Sequence, residues 1–175
     1  MRSGEYKPIY ILLTKYNDWF SKTVGLFAGC EYMHASIGLE DGATFFSFNT
    51  KRGFCIEMPF SKARNIPCIL YRLDVPGHIY EDIALRIQPF INDKEQYKFN
   101  YLEIVLCILH MPSWRIPRQR KTRYFCSQFV SELLHLSGAA TLKKNPSRFL
   151  PKDFSKDPQF RLCYQGALMG LKSAT

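Results

Sequence analysis

The chain is 175 residues long, 46% hydrophobic and 15% aromatic, enough apolar side chain to bury a core in a single domain over 1–175 and too much for a disordered segment. No apolar run approaches the length of a bilayer span, and the formal charge of +9 favours anionic partners. The six cysteines are scattered without a C-x-x-C pair, and none of the four histidines stands at zinc-ligand spacing, so neither a disulfide scaffold nor a structural metal is expected. No cofactor is expected either.

The N-terminal stretch flanks a short apolar run with charges and has no cleavage-site pattern, which predicts a cytoplasmic protein. PIYILLTK (Pro8 to Lys15) reads as a first strand. Asn17 to Ala28 has helical spacing, with Trp19, Phe20, Val24 and Phe27 near one face. HASIGLEDGATFFSFN then holds two extended runs about Asp41-Gly42, the dipeptide that a tight hairpin turn prefers because both residues take positive φ. GFCIEMPF and PCILYRLDV read as two further strands.

The second half turns helical. Ile79 to Ile91 carries Ile79, Ile83, Ile87 and Phe90 on one stripe, with Pro89 expected to bend or end it. Asn100 to His110 is apolar nearly all round and reads as a buried helix. The run Arg115 to Arg123 holds five Arg or Lys in nine residues, a solvated basic loop or a contact for an anionic substrate or surface. YFCSQFVSELLHLSG follows as an amphipathic helix ending in Ser-Gly, with Phe129, Val130, Leu133 and Leu134 inward. The tail is Pro-rich and irregular before RLCYQG, a short strand. Helices flanking an antiparallel sheet make the expected class α+β.

Cys126 stands in the first turn of its helix. A thiolate there faces the positive end of the peptide dipoles, which favours a nucleophile over a space-filling thiol. A cysteine nucleophile needs a base within reach, and the base needs a third group to orient it. His34 opens the first hairpin strand. With Asp41-Gly42 as the turn, Gly38 faces Phe45, Ser36 faces Ser47 and His34 faces Asn49, and directly opposed side chains share a face about 4.5–5.5 Å apart. Asn49 is therefore the expected orienter, with Ser47 and Glu57 as fallbacks. The other histidines fit less well: His78 sits in a loop, His110 ends a helix, and His135 lies about 13 Å of helical rise beyond Cys126.

HASIGLEDG followed far downstream by YFCSQFVSELL resembles the circularly permuted papain-like (NlpC-type) cysteine hydrolases, most closely the YiiX/YycO-like hydrolases. In that branch the His strand precedes the Cys helix, as it does here. The resemblance extends from IYILLTK through LPKDF, although KPIYILLTK lacks the Gly-Asp pair that commonly opens the family's first strand. It implies a permuted papain-like fold, Cys126 as nucleophile, His34 as base and Asn49 at the polar third place. The implied activity is that of a cysteine amidase or peptidase working through a thioacyl intermediate on a peptide-like or acyl substrate. The alternatives are a lipid-directed thiol acyltransferase or esterase on the same fold, and a non-catalytic basic module for nucleic acid or anionic membrane.

Overall fold

A computed structural model describes residues 5–16, 19–39, 43–59, 65–109 and 122–173, with the side chains of 19–21 and 172–173 outside that description. The elements are β1 (Tyr6–Thr14), α1 (Trp19–Ala28), β2 (His34–Gly38), β3 (Phe45–Asn49), β4 (Gly53–Glu57), β5 (Pro67–Pro76), α2 (Gly77–Asn92), β6 (Lys98–Phe99), α3 (Tyr101–Ile108), β7 (Arg123–Tyr124), α4 (Cys126–Leu136), α5 (Pro151–Phe154) and β8 (Arg161–Ala167). Six strands form one antiparallel sheet in the order β4-β3-β2-β1-β5-β8. The class is α+β.

Alternation along the central strands decides which side faces the helices. Ile9, Ile11 and Leu13 of β1, Ala35 and Ile37 of β2 and Phe46 and Phe48 of β3 join the main core with Val24, Ile83, Ile87, Ile104, Phe129 and Leu133. Phe48, Phe90 and Phe129 pack at its centre, with ring centroids 5.0 Å apart for Phe90–Phe129 and 5.1 Å for Phe48–Phe129. On the opposite face Leu12, Phe45, Cys68 and Leu70 are covered by Leu168 and Leu171 of the C-terminal 3-10 turn. The rest of that face, around His34, Ser36 and Ser47, is polar yet buried.

The hairpin register is the one the turn dipeptide predicts: Gly38 pairs with Phe45 and Ile37 with Phe46. Asp41-Gly42 itself lies outside the described residues. Pro89 does not end α2, which runs on to Asn92. The ring removes only its own N–H, and the helical bonding continues past it, the Asp93 N–H donating to the Pro89 carbonyl at 3.1 Å. Two expectations fail on burial. Phe27 does not share the inward face of Val24 but is exposed, and α3 is not buried all round, since Leu102 and Val105 face outward opposite Ile104 and Cys107.

Two features escape the strand patterns. Lys98–Phe99 and Arg123–Tyr124 form a short parallel pair, and α3 and α4 each start directly after one of its strands. Asn100 caps α3, its Oδ1 accepting from the Glu103 N–H at 3.2 Å and its Nδ2 donating to Glu103 Oε2 at 2.6 Å. Gly53 ends the β3–β4 turn at φ +74°, and a Cβ there would stand 2.1 Å from the Tyr97 carbonyl oxygen. That approach ties the turn to the chain leading into β6. Among the described residues no helix is long and apolar enough to cross a membrane.

Candidate active site

The site forms where the start of β2 meets the N-terminus of α4. Helix α4 packs on β2 and β3 through its apolar stripe, so its first residue is delivered to the His34 end of the sheet. Phe125 precedes it in extended conformation, and its N–H donates to Gln128 Oε1 at 3.3 Å, the return contact of a helix cap. Cys126 is thus the first helical residue, among the orphan N–H groups of the first turn. Cys126 is 3% exposed, and its thiol donates to the Met33 carbonyl at 3.7 Å, beside His34.

The His34 side chain is 8% exposed and its Nε2 lies 2.9 Å from Glu57 Oε1. Burial alone would lower the pKa of this ring. The Glu57 charge, together with side-chain hydrogen bonds to Cys126 and Glu57, overrides burial and holds it well above its ordinary value. Burial likewise pushes the Glu57 carboxyl up, while the His34 charge and the hydrogen bonds from His34, Cys55 and Ser36 bring it below its ordinary value. Both partners shift as an imidazolium–carboxylate pair requires.

Of the three residues expected at the site, Cys126 and His34 come together and Asn49 does not join them at the ring. The β2–β3 register pairs are Ile37–Phe46 and Gly38–Phe45, and beyond them the Ser47 hydroxyl donates to the Ala35 carbonyl at 2.6 Å. Asn49 Oδ1 instead accepts from the N–H groups of Lys51 at 3.1 Å and Arg52 at 2.8 Å, folding the β3–β4 turn. Glu57, the expected fallback, takes the place. In the β3–β4 register Glu57 faces Phe45 and Cys55 faces Ser47, so strand parity puts both on the face that carries Ser36 and His34. The other fallback, Ser47, spends its hydroxyl on the backbone.

Two neighbours went unrecognised in the sequence. Tyr16 meets the His34 ring edge-on, with centroids 5.3 Å apart. Thr14, two residues before it, pairs with His34 across β1 and β2, and that pairing was the available signal. The Cys55 thiol donates to Glu57 Oε1 and to the Ser47 carbonyl, each at 3.5 Å; burial and the Glu57 charge push its pKa up to about 12, so it stays a protonated donor. Among the described residues no group of three His, Cys, Asp or Glu could hold a metal ion. His110, Trp114 and the basic run as far as Lys121 lie outside the described residues.

A thiol, an imidazole and a carboxylate connected in series, with the thiol at a helix N-terminus, can exchange a proton and present a nucleophile. No family model, no curated protein and no solved structure matches this chain.

Proposed function

We propose that the chain is a cysteine hydrolase of the permuted papain-like type that cleaves an amide or isopeptide bond. The observation that carries this reading is the buried His34 ring, whose Nε2 lies 2.9 Å from Glu57 and which interacts with the Cys126 side chain at the start of α4. Nε2 is taken by Glu57, leaving Nδ1 to serve the thiol. Cys126 and His34 share one proton; with it on the ring, where the Glu57 charge favours it, the Cys126 thiolate attacks the substrate carbonyl carbon to form a C–S bond. As the tetrahedral intermediate collapses, the C–N bond breaks and the leaving amine takes the proton from His34.

Water then gives a proton to His34 and attacks the thioester; the C–S bond breaks, the acid leaves, and the Cys126–His34 pair regains its shared proton. Glu57 fixes the ring orientation and stabilises the imidazolium formed at each proton transfer. The developing oxyanion is held by the Cys126 N–H at the helix start and by Gln128 Nε2, a buried donor of the same turn with no partner among the described residues. The order of a His strand before a Cys helix, and the packing of α4 on an antiparallel sheet, also support the permuted papain-like assignment.

Labelling with a panel of amide-, thioester- and lipid-ester-based electrophiles tests the reading. One probe class should modify Cys126 stoichiometrically, and His34→Ala should abolish the modification. Labelling spread evenly over the six cysteines and indifferent to His34 would overturn it.

A further inference from the structure

Two adjacent helices of this fold turn apolar side chains to solvent. On α1, Leu26 is 80% and Phe27 73% exposed, next to the exposed Lys22. On α3 and the residue that caps it, Leu102, Val105 and Leu109 recur at helical spacing and are all exposed, while Ile104 and Cys107 face the core. α1 packs against α3, so both outward stripes belong to one pair of contacting helices. Scattered exposed leucines mean little, but two contacting helices with five outward large hydrophobics form a patch of the kind that marks an interaction surface.

The charge beside the patch identifies the occupant. Lys98 and Arg123 are register partners in the parallel β6–β7 pair that precedes α3, both exposed. Like charges directly opposed across strands are destabilising, and neither makes an ion pair among the described residues. Lys51 and Arg52 add to them. Tyr101, the first residue of α3, donates to the Thr50 carbonyl at 2.6 Å, and Gly53 abuts Tyr97 and Lys98, which holds that turn at the same helix end. The acidic residues close by in sequence offset the group only in part: Glu103 is turned inward on Asn100, and Asp93 and Glu95 with Lys94 leave a single net negative charge against the four cations.

We propose that the outer faces of α1 and α3, with Lys51, Arg52, Lys98 and Arg123, dock the protein on an anionic lipid bilayer. Exposed leucines and a phenylalanine beside unpaired cations are what an interfacial surface requires: apolar groups to enter the acyl boundary and cations to meet the headgroups. A second copy of the chain is disfavoured, because a two-fold contact would press the same cations together. Helices α3 and α4 start side by side, the Asn100 N–H donating to the Tyr124 carbonyl at 2.9 Å, so docking brings the Cys126 end of α4 toward the lipid. If Cys126 is the nucleophile, the substrate class at that site is an acylated amphiphile held in the membrane; the docking itself stands without any catalytic step.

Sedimentation of the full chain with vesicles tests the surface. Binding is expected to phosphatidylcholine vesicles containing phosphatidylglycerol and not to phosphatidylcholine alone, and it should weaken as salt rises. Each of Lys98→Gln and Arg123→Gln should cost about fivefold in affinity, equivalent to about 1 kcal/mol per cation. Leu26→Ser/Phe27→Ser, at exposed positions that leave the circular dichroism unchanged, should lose binding while Cys126 labelling in solution persists. Equal binding to both vesicle types, binding to neither, or a concentration-dependent dimer abolished by Leu102→Ser/Leu109→Ser would overturn the proposal.

Discussion

His34 is useful because of the two groups it holds at once. Its protonated form is favoured by Glu57 and Cys126 against the penalty of burial. Glu57→Gln removes the charge and keeps the shape, so the His34 ring should titrate nearer its ordinary value in an NMR histidine titration, and Cys126 should be alkylated more slowly. Asn49→Ala separates the two proposed orienters. It should cost about 1 kcal/mol through the lost turn hydrogen bonds and leave Cys126 alkylation unchanged, since its Oδ1 serves Lys51 and Arg52. Cys126 and His34 were legible from a helix-initial thiol and a strand-initial histidine. Glu57 was legible only as a fallback, because parity places it on the right face while the turn register points to Asn49. What decided between them is where the β2–β3 ladder stops, which no local pattern records.

Among the elements, α4 is the one whose packing fixes Cys126, the proposed nucleophile. Phe129 lies one turn beyond Cys126 and is buried against Phe48, Phe54 and Phe90. Phe129→Ala should cost about 3–5 kcal/mol in chemical denaturation and slow Cys126 alkylation under native conditions, because the helix loses its anchor on the sheet. The β3–β4 turn is equally constrained: Gly53→Ala places a methyl against the Tyr97 carbonyl at positive φ and should destabilise by more than about 1 kcal/mol. The strands and helices of the main sheet were readable because alternation and helical stripes report the buried side. The β6–β7 pair was not, since two-residue strands carry no period. The outward face of α3 was misread for a related reason: an apolar helix surface signals burial in composition, whether core or another phase covers it.

The whole molecule should show the site in its pH dependence. His34 has a raised folded value, so its share of stability is full below its ordinary value of 6.5 and is lost as pH climbs through the raised one. Glu57 has a lowered folded value, so its share is full above 4.5 and is lost as pH falls through the lowered one. The melting-temperature difference between wild type and Glu57→Gln should therefore be largest between these two values and shrink on either side. The α+β class followed from the change of period halfway along the chain. The sixth strand, β8, pairs with β5 across most of the sequence and came only from the short RLCYQG run, which gives no hint of its partner.

The most direct measurement of the central claim is the peptide-resolved rate of iodoacetamide alkylation at neutral pH in wild type, Glu57→Gln and His34→Ala. The exposed Cys163 provides the internal reference. Cys126 should react faster than Cys163 despite its burial, with the rate falling in Glu57→Gln and falling about 10²-fold or more in His34→Ala. A Cys126 that reacts no faster than Cys163, at one rate in all three proteins, would contradict the account.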